Sequence, residues 1–117
     1  MQTVRMLLHV VPEAEWQAGS GDPYRPASLA SEGFVHCSPD EGTALAVVEA
    51  YYRDVPGPLL LLALDEALLT AEVRWEGGAD GGRFPHVYGP VDRAAVVGVR
   101  EIRRDGSGRV TGLAPRV

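Results

Sequence analysis

Lysine is absent from this sequence: all 11 basic side chains are arginines, set against 16 acidic ones for a formal net charge of −5. Only Arg100, Arg103 and Arg104 cluster; the other arginines are spread along the chain. An acidic chain without a basic stripe is a poor partner for extended nucleic acid, because neutralised phosphates supply most of that affinity. One small anion is a different matter, since a single guanidinium grips it bidentately. Genomic base composition alone also produces arginine in place of lysine. Cysteine occurs once, as Cys37, so no intrachain disulfide can form. That usage suits a reducing cytosol, and a cytoplasmic location is expected. Long apolar runs are missing too. The N-terminal run Met6 to Val11 is far too short to span a bilayer. It also lacks the length and small-residue cleavage site of a signal peptide, so no membrane association is expected. No internal repeat or low-complexity linker divides the 117 residues, and a single domain over 1–117 is expected.

What is present reads as an α+β domain. Met6 to Val11 has the pattern of a buried strand bounded by Pro12, and Pro12 to Ala18 that of a short helix with proline in its first turn. Gly19 to Pro23 is a loop. Ala27 to Glu32 forms one more helical turn, ended by Gly33, and Phe34 to Ser38 is a short strand. Ser38-Pro39-Asp40-Glu41 has the form of a capping box with proline at the first helical position. The helix it starts runs to about Arg53, with Ala44, Val47, Val48 and Tyr51 as its buried stripe. Leu59 to Leu64 is an apolar run of strand length, hence a central strand buried on both faces. Glu72 to Glu76, Phe84 to Tyr88, Val96 to Arg103 and Arg109 to Gly112 supply further extended segments. The last two are joined by a hairpin turn at Asp105 to Gly108, and the glycine-rich stretch Gly77 to Arg83 is expected to be mobile. The sum is a mixed sheet with two or three helices.

Two histidine-bearing segments carry the candidate chemistry, Gly33-Phe-Val-His-Cys-Ser38 and Phe84-Pro-His-Val-Tyr-Gly89. Side chains two apart on a strand share a face. His36 therefore lies with Ser38 and Phe34, while Val35 and Cys37 face the core. The divergence of neighbours argues against a Cys37/His36 nucleophilic pair, and Cys37 reads as a small buried hydrophobe. His86 lies with Tyr88, stiffened by Pro85 and Pro90. His9 sits in an aliphatic strand, where a buried, hydrogen-bonded histidine competes with a site residue. Arg25, held extended before Pro26, is placed to reach over a strand end or else is simply solvated. Either Arg74 and Glu76 face the site, or Trp75 does as a stacking platform; the sequence leaves both open.

Several chemistries are not supported. His9, His36 and His86 are too far apart in sequence for a zinc motif, and no metal site is expected. No Gly-x-Ser-x-Gly turn presents a serine nucleophile, Ser38 is explained as a helix cap, and no phosphate-binding glycine loop occurs.

Tyr24-Arg25-Pro26, Glu32-Gly33-Phe34-Val35-His36-Cys37-Ser38, Arg74-Trp75-Glu76 and Phe84-Pro85-His86-Val87-Tyr88-Gly89-Pro90, in this order, resemble the bacterial family called domain of unknown function 952, over about Leu7 to Val99. The resemblance implies a fold similar to ADP-ribosyltransferases, a small split mixed β-sheet with a ligand cleft, and a small anionic, nucleotide-like ligand with NAD as cofactor. It implies that His36, His86 and Glu76 are catalytic, and that His9, Arg25, Ser38 and Tyr88 bind the cofactor. On that reading Arg25 and His36 hold pyrophosphate or ribose, and Glu76 stabilises positive charge on ribose as nicotinamide leaves. Tyr88 or Phe34 supplies a stacking wall. The activities implied are ADP-ribosyl or phosphoryl transfer, or NAD hydrolysis. The alternative is a non-catalytic domain that binds a phosphorylated metabolite or a protein, and fold analogy does not decide between them.

Overall fold

Residues 5–18, 21, 23–77 and 82–116 are described by the computed structural model. In chain order the elements are β1 (Met6–Pro12), α1 (Glu13–Ala18), α2 (Ala27–Glu32), β2 (Val35–His36), α3 (Glu41–Tyr51), β3 (Leu59–Asp65), β4 (Glu72–Gly77), β5 (Arg83–Tyr88), β6 (Val96–Arg104) and β7 (Val110–Pro115). Short 3-10 turns lie at Glu66–Leu68 and Arg93–Ala95. The expected loop over Gly19 to Pro23 and the glycine-rich stretch Gly77 to Arg83 fall largely outside the described residues. Among the described residues no helix is long and apolar enough to cross a membrane.

The leucine run behaves as its composition dictates. β3 lies inside a four-stranded sheet of order β1-β3-β6-β7, and Leu59 to Leu62 are all sealed from solvent. A strand buried on both faces reads as a continuous apolar run, which is why β3 does not alternate. A second, three-stranded sheet has the order β2-β5-β4. The expected split is present, but every pairing between these strands is antiparallel rather than mixed. The reason is topological. The helical segment after β1 leads to a strand of the other sheet, so no crossover returns the chain parallel to its starting strand.

The large sheet separates two cores. On one face Leu7, Val11, Leu60, Leu62 and Leu64 meet Tyr24, Val35, Cys37, Val87 and Val91, with Trp75 and Val73 packed at the margin. On the other, Leu8, Val10, Leu59, Leu61 and Ile102 meet Ala44 and Val48 of α3. The sheets touch where the chain leaving β2 crosses β1: Ser38 and Leu8 exchange backbone hydrogen bonds of 2.6 and 2.9 Å.

Two local expectations change here. The cap of α3 is Asp40, whose carboxylate accepts from the Thr43 N–H at 2.7 Å. Ser38 cannot cap because its backbone is committed to β1, so the helix starts two residues later. The buried stripe is narrower than its periodicity suggests. Ala44 and Val48 are sealed against the sheet, Val47 is half-buried, and Tyr51 is 79% exposed. The helix ends at Tyr51, and Arg104 holds the chain just beyond it, donating to the carbonyls of Tyr52, Val55 and Gly57 at 2.8, 3.0 and 2.7 Å. Arg100 holds Glu41 at the other end. Two of the three clustered arginines are thus straps for α3.

Gly33 and Gly108 both require positive φ, at 86° and 87°. A Cβ at Gly33 would meet open space, while one at Gly108 would lie 2.7 Å from the Arg53 carbonyl oxygen. Gly33→Ala is expected to cost about 1–2 kcal/mol, the left-handed backbone penalty alone. Gly108→Ala is expected to cost distinctly more. Urea denaturation of the two variants, read at equal m-value, checks the order.

Candidate functional site

The cross-strand register of the small sheet decides which side chains meet. His36 pairs with His86, and His86 with Arg74, so three cationic or imidazole side chains lie in one row across β2, β5 and β4. Flanking rows place Tyr88 opposite Glu72 and Phe84 opposite Glu76. All these residues share the face turned away from the core. Val35, Val73, Trp75 and Val87 take the other face, against the buried cluster. Glu76 and Arg74 therefore face the site, and Trp75 is a packing residue.

On this face Glu76 is the organising group. Its Oε1 accepts from His86 Nδ1–H and from the Tyr88 hydroxyl, each at 2.6 Å. Donation by Tyr88, then by His86, holds the Glu76 carboxyl below the usual range, so it stays ionised. The same bond pushes the Tyr88 hydroxyl upward. An ionised carboxylate only accepts, so neutral His86 carries its proton on Nδ1 and keeps a lone pair on Nε2. Phe34 stacks on the His86 ring at 4.2 Å and 28°, fixing its plane. His36 lies edge-on to His86 at 5.5 Å, and its Nε2 reaches Glu32 Oε2 at 2.8 Å. The Arg74 guanidinium sits 4.3 Å over the Tyr88 ring and touches Glu72 at 3.1 Å.

A cavity of about 410 Å³ opens beside these histidines. It is lined by His36, Ser38, His86 and Phe84 of the small sheet and the chain leaving it, by Leu8 and Val10 of β1, and by Val47, Tyr51 and Tyr52 at the end of α3. Ser38 is buried there, its backbone paired with Leu8. Cys37 also borders the cavity, but burial pushes its thiol up to about 12, so it is a poor nucleophile.

Of the expected site residues, His36, Ser38 and His86 line the cavity; Glu76 and Tyr88 join it only through the hydrogen-bond network on His86, and His9 and Arg25 lie elsewhere. His9 points from β1 into the core face, where its Nδ1–H donates to the His36 carbonyl at 2.7 Å. That fixes Nε2 as the acceptor for the Tyr24 hydroxyl at 3.1 Å. His9 is a buried brace between the two sheets and does not line the cavity. Arg25 is exposed and makes no hydrogen bond or ion pair among the described residues; it does not line the cavity either. Glu32, Phe84 and Tyr51 are the site residues that sequence reasoning missed. Alternation offered a signal for Phe84, two residues from His86. Glu32 and Tyr51 carried none, because their placement depends on where α2 and α3 end. Among the described residues no group of three His, Cys, Asp or Glu side chains is arranged to hold a metal ion.

The model of the family described as a protein of unknown function, DUF952, matches residues 10–99. The crystal structure of protein CC0527 from Caulobacter crescentus is similar with a TM-score of 0.78 and 26% identity, covering 91% of this chain and 93% of that one. The solution NMR structure of CC0527 gives a TM-score of 0.68 at 27% identity, covering 90% of each chain. No curated protein matches. Neither the family description nor these structures' names state an activity.

Burial lowers the His9 pKa below its ordinary 6.5. Between that lowered value and 6.5 the unfolded chain binds the proton and the folded chain does not. Stability is therefore full above 6.5 and falls as pH drops through this window, by at most about 1.4 kcal/mol per pH unit. His9→Gln is expected to remove this part of the slope in denaturant titrations between neutral and mildly acid pH. Tyr24→Phe, which strips the donor from buried His9 Nε2, is expected to cost about 1–3 kcal/mol at neutral pH. An unchanged slope and unchanged midpoint would show that the brace carries no load.

Proposed function

This chain belongs to the family of proteins of unknown function DUF952, and we propose that its cavity binds a small anionic nucleotide-like ligand of the NAD or ADP-ribose class, with His86 as the proton-transferring group. The observation that carries this reading is the 2.6 Å Glu76–His86 hydrogen bond, which fixes one ring nitrogen and leaves the other for a ligand. A base held in one tautomer by a carboxylate is the arrangement general acid–base chemistry uses. His36 stands beside it as a second imidazole, and Arg74 lies in the same row. A cavity of about 410 Å³ with few polar groups on mostly apolar walls is of ligand-binding size.

The residues present fit NAD. His36 and His86, which line the cavity, would hold its phosphates or ribose hydroxyls; Arg74 lies next in the row but outside the lining, and with one ion-pair partner it has guanidinium donors for a phosphate that extends past His86. When bound, NAD supplies a nicotinamide–ribose bond whose cleavage leaves positive charge on the ribose. In this reading Glu76 acts mainly by orienting His86, since both its hydrogen bonds fall on Oε1. The reaction class is ADP-ribosyl or phosphoryl transfer, or hydrolysis of NAD. An ADP-ribosyltransferase-like fold is part of the proposal. The split sheet with a cavity beside it supports that likeness, and the wholly antiparallel pairing departs from it.

Calorimetry with NAD and ADP-ribose, beside an assay of nicotinamide release, tests the reading. Binding to the wild-type protein is expected, weakened in His36→Ala and His86→Ala. Any turnover is expected to fall about a hundredfold or more in His86→Ala, the usual range for loss of a general base. Binding without turnover would make this a non-catalytic nucleotide-binding domain. No binding of either ligand would end the proposal.

A further inference from the structure

Tyr51 is the most exposed large apolar side chain among the described residues, at 79%. Among those residues no hydrogen bond or ring contact engages it. It occupies the last helical position of α3, one turn after Val47, and both line the cavity. Residues four apart on a helix form one stripe. The neighbouring stripe, Ala44 and Val48, is fully buried against the sheet. The helix therefore has two apolar stripes, one spent on the core and one turned to the cavity.

The cavity lining is of two chemical kinds. Leu8 and Val10 supply aliphatic surface, and Tyr51 and Phe84 supply aromatic rings. His36 and His86 supply imidazoles. A bare phosphate would leave the aliphatic surface and the rings wet. A purely aliphatic ligand would leave two imidazoles without partners. A planar heteroaromatic ring attached to an anionic sugar phosphate satisfies both kinds, because aromatic side chains accept any ring with a π face.

The Tyr51 platform is also held in place. Arg104 fixes the carbonyls of Tyr52, Val55 and Gly57, just beyond the helix end. Glu49 accepts the Val110 N–H at 2.9 Å, tying the last turn to β7. Rigid supports of this kind keep a binding residue positioned before the ligand arrives.

We infer that the apolar lining of this cavity is a subsite for a planar heteroaromatic ring, and that Tyr51 is the residue that selects for it by stacking. The inference rests on the nucleotide reading above and deepens it, naming the part of the ligand that α3 recognises. Adenine and nicotinamide are the two rings that such a ligand brings.

The test uses uncharged probes that cannot turn over, so it reports on the ring subsite alone. The intact protein with labelled methyl and aromatic groups is titrated by NMR with adenosine, and separately with nicotinamide, to millimolar concentration. Saturable shifts at Leu8, Val10, Val47 and Tyr51 are expected with at least one probe, and the preferred probe identifies the ring. Tyr51→Ala is expected to weaken that binding by about fivefold or more, the lower end of what base–aromatic stacking contributes. Tyr51→Phe is expected to retain it. Tyr51 is exposed, so unchanged thermal unfolding accompanies both substitutions. No shifts at these residues, or shifts that Tyr51→Ala leaves unchanged, overturns the inference. Ring binding in a protein that takes up neither NAD nor ADP-ribose sustains the subsite and sinks the nucleotide reading. NAD binding indifferent to Tyr51→Ala does the reverse.

Discussion

Two sheets share this domain; they pack through one buried apolar cluster, and a few backbone bonds and one buried imidazole fix how they join. Ser38 and Leu8 pair across the joint, and His9 reaches from β1 to the His36 carbonyl on β2. Everything on the small sheet's outer face inherits its position from that joint. His9 is sealed among aliphatic neighbours and keeps both ring nitrogens satisfied, one by a carbonyl and one by the Tyr24 hydroxyl. An unsatisfied nitrogen there would carry a full desolvation penalty, so the brace is specific about its partners. Tyr24 is fixed in turn by its pairing with Val91 and by an edge contact with Trp16 at 5.0 Å. The brace thus ties the N-terminal helices, the large sheet and the histidine strand into one unit.

From that frame the small sheet projects two carboxylate–imidazole pairs side by side, Glu32–His36 and Glu76–His86. They differ in environment. His36 is about half exposed, whereas only 16% of the His86 side chain is accessible, with Phe34 stacked on its face. The partly buried pair is the one whose geometry is fixed, by a second donor on Glu76 and a ring against the imidazole. The exposed pair is held by one bond from the end of a two-turn helix. That asymmetry is why we propose the proton-transfer role for His86 and not for His36.

Much of this was legible in the sequence where local periodicity decides the outcome. Alternation along Phe34 to Ser38 put His36 on one face and Cys37 in the core, as found. The leucine run marked the central strand, and Gly33 the end of α2. What was not legible depends on long-range register. Whether Trp75 or Glu76 faces the site follows only from the pairing of β4 with β5. Ser38 has the local form of a helix cap, and backbone pairing with Leu8 overrides it. Tyr51 fits a core stripe by spacing alone, but α3 crosses the sheet in a way that leaves its last turn over the cavity. His9 and Arg25 were grouped with the other site residues by resemblance. Three-dimensional placement sends one to the core brace and the other to solvent.

Glu76 holds neutral His86 with its proton on Nδ1 and its lone pair on Nε2. Long-range nitrogen–proton NMR correlation of the labelled imidazole, recorded above the histidine titration range, reads this directly. The Nδ1–H tautomer is expected for His86 in the wild-type protein, and its loss in Glu76→Ala. A His86 ring that is Nε2-protonated in the wild type, or equally mixed with and without Glu76, would contradict it.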